Sequence, residues 1–222
     1  MKPEVSILLP SVRPEAMRYC IQEIIDNTSG VYFEVVLIGD QTPLSWYDFR
    51  NARNVNFEIV NIYEPERRGV LVALREAYEK SRGNYVVPMT DDARVGYNWL
   101  KPVLDKVKED VKNIGDFEVQ PYNPFSYWGI KFSPFCLIAK ERCEQIGGFM
   151  DEGFKSFYGD PDLCLRNHIA GGKLVSVPGC AIFHPENNDA VHKVIANKYT
   201  EDDRKRFVQK WEPRFGTFPG DP

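Results

Sequence analysis

Gly83-Asn84-Tyr85-Val86-Val87-Pro88-Met89-Thr90-Asp91-Asp92-Ala93-Arg94, running on to Trp99-Leu100, is the stretch that decides the fold. A short apolar run bounded by Gly83 reads as a buried strand, and it stops at two adjacent carboxylates before a new helical pattern begins. Asp91 and Asp92 therefore stand at a strand's carboxyl end. In an open α/β sheet, ligands bind in the crevice outside those ends, where paired acids can meet a metal-bound phosphate ligand. Asp is also a common cap and turn residue, so the pair taken alone favours a plain turn. Its surroundings reverse that balance.

Upstream, Val5-Ser6-Ile7-Leu8-Leu9 is a compact apolar strand closed by Pro10-Ser11-Val12-Arg13-Pro14. The next segment places Met17, Cys20, Ile21, Ile24 and Ile25 on one helical face, with Pro14 and Glu15 suited to the first turn. Phe33-Glu34-Val35-Val36-Leu37-Ile38 reads as a second strand ending at Gly39-Asp40, which repeats the pattern of an acid just past a strand; a turn Asp explains it equally well. Residues 57–62 alternate as a third strand, and Glu64-Pro65-Glu66-Arg67-Arg68-Gly69 separates them from a helix carrying Val70, Leu71, Leu74, Ala77 and Tyr78. Gly83 is expected to close that helix as a C-cap. Strands alternating with helices of this length predict a mostly parallel sheet with right-handed crossovers.

Downstream, Leu100, Val103, Leu104, Val107 and Val111 mark the helix after the acids. Periodicity fades over residues 113–134, where Pro121, Tyr122, Pro124, Phe125, Tyr127 and Trp128 form an aromatic stretch read as a loop or irregular edge. Residues 135–139 return to strand character, and residues 141–146 form a short helix closed by Gly147-Gly148. In Gly159-Asp160-Pro161-Asp162-Leu163, Asp160 precedes a helix with Pro161 at its first position, so a plain N-cap explains it as readily as chemistry does. Residues 174–177 and 181–183 read as two short strands, the second delivering His184, which by itself is more often a surface residue than a ligand. The last helix is expected to start at Thr200 with Asp203 completing a capping box, and residues 213–222 to form a loosely attached tail.

The totals narrow the function. A chain of 222 residues suits one α/β domain, divided here into residues 1–112, a nucleotide-binding half, residues 113–211, an acceptor and catalytic half, and a tail at 212–222. With 43% hydrophobic and 27% charged residues it is an ordinary globular composition, and no apolar run approaches the roughly 18 residues of a membrane span. Five cysteines without a Cys-x-x-Cys pair read as reduced core thiols, and a cytoplasmic protein is expected, with peripheral membrane contact left open. A net charge of -4 without a basic stripe argues against nucleic acid as a partner. Neither Gly-x-Gly-x-x-Gly nor Gly-x-x-x-x-Gly-Lys-Ser/Thr occurs, so dinucleotide and P-loop chemistry have no support.

With these residues placed, the chain resembles a family 2 inverting glycosyltransferase of the GT-A fold, a nucleotide-diphospho-sugar transferase type. The resemblance rests on the order of Pro10-Ser11-Val12-Arg13, Gly39-Asp40, Thr90-Asp91-Asp92, Gly147-Gly148-Phe149-Met150-Asp151-Glu152, Gly159-Asp160-Pro161-Asp162 and the late His184. Ala93 and Gly159 stand where that family commonly carries acids. The resemblance implies an α/β fold with a mostly parallel central sheet flanked by helices, and a UDP-sugar donor with Mn²⁺ or Mg²⁺. It implies Asp92 and His184 as metal ligands and Asp160 as the base. Pro10, Ser11, Arg13, Asp40, Arg68 and Asp91 are the implied nucleotide contacts. The acceptor would be a glycan, or a lipid-linked or protein-linked group. Asp151 and Glu152 would bind acceptor hydroxyls, with Tyr127 or Trp128 stacking on a sugar. Two other readings share the layout: a sugar nucleotidyltransferase, and a binding module of the same fold without activity.

Overall fold

The computed structural model describes residues 2–39, 43–49, 56–120, 125–185 and 190–221, with backbone alone for 46, 47 and 190–197. An eight-stranded sheet organises it. Four strands, β1 (Val5–Ser11), β2 (Phe33–Gly39), β3 (Phe57–Tyr63) and β4 (Tyr85–Pro88), run parallel in the order β3-β2-β1-β4. The sheet continues through β9 (Cys136–Ala139), which is antiparallel to β4 and to β6 (Ile114–Gln120). Next come β10 (Leu174–Phe183), parallel to β6, and the two-residue edge strand β5 (Arg94–Val95). A separate hairpin pairs β7 (Phe125–Tyr127) with β8 (Ile130–Phe132).

Both sheet faces are covered, which is why β1 and β2 read as nearly continuous apolar runs. On one face, α1 (Pro14–Asn27) and α3 (Leu100–Glu109) pack against Ile7, Leu9, Val35, Leu37, Phe117 and Leu137. The five residues predicted for the inner stripe of α1 are the five that are buried. On the other face, α2 (Val70–Lys80), α4 (Lys140–Gln145), α5 (Gly159–Ile169) and α6 (Ala190–Phe215) surround Leu8, Val36, Ile38, Val86 and Ile138. Each fully buried aliphatic side chain contributes about 1.5–3 kcal/mol, so these two layers dominate stability. Among the buried polar residues is Glu34, satisfied by the Ser6 hydroxyl at 2.6 Å and by the Arg82 amide and guanidinium at 2.5 and 2.8 Å.

Several expectations change. Residues 114–120 are not a loop, because β6 lies inside the sheet; its alternating Asp116, Glu118 and Gln120 hide a strand whose Phe117 is buried. Residues 174–183 form one strand with an irregularity between Ser176 and Ala181. The final helix begins at Ala190, which leaves Thr200 inside it, and Asp203 makes no capping box. Its buried carboxylate instead accepts from the Lys155, Ser156 and Phe157 amides at 2.8–3.2 Å. Residues 213–222 are no loose tail either: the helix continues to Phe215, and Asp221 bonds Tyr127 and Tyr158.

Gly83 is not a C-cap, since α2 ends at Lys80 and Ser81 caps it. A Cβ at Gly83 would lie 2.6 Å from the Ser6 amide nitrogen and hydroxyl and 2.8 Å from the Val5 carbonyl carbon. Close backbone approach to β1 is what excludes a side chain there. Gly83→Ala is expected to cost about 1–3 kcal/mol of stability by overpacking. At this chain length that lowers Tm by roughly 2–12 °C in a thermal melt.

Candidate active site

Strand direction assembles the site. β1, β2, β3, β4, β6 and β10 all point one way, and β9 and β5 run against them. One end of the sheet therefore receives the segment after β1, the acids after β4, the residue after β10 and the start of β9. Asp40 belongs to the sequence after β2 but lies outside the described residues, as do Pro121, Tyr122 and Pro124.

At this end Asp91 organises the loop after β1. Its Oδ2 accepts from the Val12 and Arg13 amides at 2.8 Å each and from the Ser11 hydroxyl at 3.2 Å, while its Oδ1 meets the Arg13 guanidinium at 2.7 Å. The carboxylate is 3% exposed, so these charge-assisted bonds fix both the loop and the acid. Pro10, Ser11 and Arg13 are thus set directly beside the acids. Asp92 follows and faces His184, whose Nε2 lies 3.3 Å from its Oδ1; Arg13 Nη1 is 3.5 Å from its Oδ2. Antiparallel pairing of Phe183 with Arg94 delivers the imidazole to this place, and Phe135 packs edge-on against its ring at 5.4 Å.

Arg68 is elsewhere. Its guanidinium is held by Glu64 at 3.1–3.2 Å and by Glu76 at 2.6 Å, on the β3–α2 side, and it makes no contact with Asp91, Asp92 or His184. Ser11, Arg13, Asp91, Asp92 and His184 form one contact cluster, and Arg68 is held by Glu64 and Glu76 outside it.

Asp160 comes from the second half of the chain and lies in the first turn of α5. This helix starts at the ligand-facing end of the sheet and runs away from it, since Asn167 near its far end bonds Arg142 in α4. Asp160 is not the N-cap: that position is Tyr158, in the left-handed region at φ 64°. Burial pushes the Asp160 carboxyl up to about 7, against a backbone hydrogen bond that lowers it. Its charge is felt by Cys136 at the start of β9, by Cys164 one turn along, and by Tyr127. A carboxyl so poised can exchange a proton near neutrality.

Supports that the linear pattern did not reveal hold α5 in place. Asp162, fully buried, accepts from Arg166 Nε at 2.8 Å, from Lys210 Nζ at 2.5 Å and from the Trp211 indole at 3.1 Å. The ion pair with Arg166 is legible from its four-residue spacing, whereas Lys210 and Trp211 arrive from α6. Asp151 is paired with Arg206 at 2.9 Å and Lys210 at 2.7 Å, and Glu152 is exposed. Tyr127 and Trp128 lie in an aromatic cluster with Phe207, Phe215 and Phe218.

One carboxylate and one imidazole 3.3 Å apart form a donor set suited to a hard or borderline cation whose remaining positions are filled by phosphate oxygens and water. Among the described residues no group of three or more His, Cys, Asp or Glu side chains forms a ready-made metal site. The pair fits a cation carried in with its ligand. Among the described residues no helix is long and apolar enough to cross a membrane.

Comparison with known proteins agrees with this arrangement. Residues 8–168 match the model of glycosyl transferase family 2. No curated protein matches the sequence. Among solved structures, the mannosyltransferase PcManGT from Pyrobaculum calidifontis, in complex with GDP-Man and Mn²⁺, is similar with a TM-score of 0.68 at 14% identity, covering 94% of this chain and 65% of that one. GalNAc-T7 with UDP, GalNAc and Mn²⁺ gives 0.65 at 15% identity, covering 82% of this chain and 44% of that one. TarS 1-349 of S. aureus gives 0.62 at 12%, covering 95% and 73%. The chain thus spans about half to two thirds of the length of the first two. All three share its mixed sheet flanked by helices, the GT-A fold. Because the family model matches residues 8–168, well over half of the chain, the chain belongs to glycosyl transferase family 2.

Proposed function

We propose that this protein transfers a sugar from a nucleoside diphosphate sugar, UDP-linked by preference, to an acceptor hydroxyl with inversion. The observation that carries the reading is the Asp92–His184 pair, 3.3 Å apart, at the same sheet end as a carboxyl poised near 7. Asp92 and His184 would hold Mn²⁺ or Mg²⁺, which when bound neutralises the charge of the leaving diphosphate. The Pro10–Arg13 loop, fixed by Asp91, would lie along the nucleotide, with Arg13 adding positive charge beside it. Asp40 would receive a hydrogen bond from the base. The contacts of Arg68 with Glu64 and Glu76 leave it a lesser claim on the nucleotide.

Asp160 would act on the opposite side of the sugar. The acceptor oxygen attacks the anomeric carbon as its proton passes to the Asp160 carboxylate, and the bond from that carbon to the diphosphate breaks, the diphosphate leaving with the electron pair. Attack opposite to departure inverts the anomeric centre, so an α-linked donor gives a β-linked product.

A panel of UDP-, GDP- and dTDP-sugars with Mn²⁺ tests this reading by thermal shift and by release of the nucleoside diphosphate. A bound donor stabilises by RT ln(1 + [L]/Kd), about 2.7 kcal/mol at a hundred times Kd. The UDP-sugars are expected to shift Tm most, and only with the metal present. Binding without release in the presence of any acceptor would favour an inactive binding module; no binding by any donor would contradict the proposal.

A further inference from the structure

Beside Asp160 lies a second polar arrangement that the transfer chemistry does not use. Asp221 Oδ1 accepts from the hydroxyls of Tyr127 at 3.0 Å and Tyr158 at 2.8 Å, and its Oδ2 meets Arg204 Nε at 3.1 Å. Both phenols are buried, at 4% and 8% exposure, and both rings pack on Phe207, with centroids at 5.2 and 5.0 Å. Two hydroxyl donors are therefore held at fixed positions from below, with a guanidinium at the rim. This is a site built for an anionic oxygen pair.

The carboxylate now in it arrives on the stretch that follows α6, which turns at two glycines in the left-handed region. Gly216 and Gly220 adopt φ of 87° and 91°, and a side chain added at either would touch nothing within 4 Å. Between them Thr217 and Pro219 are exposed; Phe218 packs on the cluster, and the Trp128 indole donates to the Gly216 and Thr217 carbonyls at 3.1 Å. The segment is held at its root by Trp128, at its middle by Glu212, which accepts from the Phe218 amide at 2.7 Å, and at its tip by Asp221. Tyr158 is two residues from Asp160, in a left-handed conformation unusual for a side chain of that size, and the Asp160 charge bears on Tyr127. The site thus lies on the residues that lead into the first turn of α5, where Asp160 stands.

Resting on the transferase reading above, we propose that Tyr127, Tyr158 and Arg204 form an acceptor subsite for an acidic group, a carboxylate or a phosphate near the hydroxyl that reacts, and that Asp221 occupies it as an internal stand-in until the acceptor displaces the 216–221 segment. A tethered carboxylate competes at an effective concentration that reaches millimolar for a short flexible link, so free acidic acceptors bind weakly while it is seated.

The test measures binding by calorimetry to the full chain, with UDP and Mn²⁺ present, of three probes: a methyl uronate glycoside, a sugar phosphate and the matching neutral methyl glycoside. Asp221→Asn, at an exposed position, removes the competing charge. It is expected to tighten the acidic probes about tenfold and leave the neutral one unchanged. Adding Arg204→Gln to that variant is expected to cancel the gain. A gain for the uronate alone identifies a carboxylate acceptor, and a gain for the sugar phosphate alone a phosphorylated one. Equal changes for all three probes, or none, would overturn the subsite and leave the segment as packing. UDP binding in the same cell reports on the transferase reading separately, so the two failures are told apart.

Discussion

Asp160→Asn is expected to abolish sugar transfer and leave nucleotide binding unchanged. Amide and carboxylate have nearly the same shape, so the first turn of α5 and its neighbours Tyr127, Cys136 and Cys164 stay in place. The lost element is the proton acceptor, a contribution of about 10²- to 10⁴-fold. The expected result in a steady-state assay is kcat down by at least about a hundredfold with donor affinity within a factor of about two. The pH profile gives a second signature. With the carboxyl raised to about 7, the ionised base is depleted below neutrality, so kcat/KM should fall about tenfold per pH unit below 7 and level off above it. The stability sign is opposite in usefulness. A carboxyl raised on folding favours the protonated fold, so wild-type stability is lost as pH climbs from about 4 to 7. Asp160→Asn escapes that loss, and its Tm advantage over wild type should grow across that window.

Asp92→Ala and His184→Ala are expected to remove metal-dependent nucleotide binding while leaving the fold intact. The two side chains face each other across 3.3 Å, so removing either would leave a cation one of its two expected protein ligands. The loss expected in a manganese titration of UDP binding exceeds the roughly 10- to 100-fold that accompanies removal of an outer-shell partner. Asp91→Ala should behave differently, because it unfastens the Ser11, Val12 and Arg13 contacts and so loosens the loop after β1. Its effect would fall on nucleotide affinity at every metal concentration. Distinguishing the adjacent acids in this way separates a ligand from the residue that shapes the loop.

Much of this arrangement is legible in the chain because burial on both faces writes a simple signal. β1, β2 and β4 are apolar almost throughout, and each is followed within a few residues by the polar group that matters. The α1 stripe is equally plain. β6 escaped notice because three polar residues alternate along it, and Asp116 finds its partner in Ser176 on β10, sixty residues away. The start of α6 is hidden for a related reason: Thr200 and Asp203 match a capping pattern, yet the helix already runs through them and Asp203 accepts from the loop at 155–157. The Asp221 contacts are invisible to any local pattern, since 94 residues separate it from Tyr127. His184 is an intermediate case. Only the pairing of β10 with β5 turns an ordinary strand-end histidine into the neighbour of Asp92.

The central claim is a division of labour at one sheet end, with Asp92 and His184 serving the diphosphate and Asp160 serving the acceptor. The measurement that meets it most directly is UDP binding by thermal shift, with and without Mn²⁺, on wild type, Asp92→Ala, His184→Ala and Asp160→Asn, alongside turnover of each. The account predicts that Asp160→Asn keeps the full metal-dependent shift with no turnover, while the other two lose the shift. A normal rate for Asp160→Asn, or an undiminished manganese-dependent shift for Asp92→Ala, would contradict it.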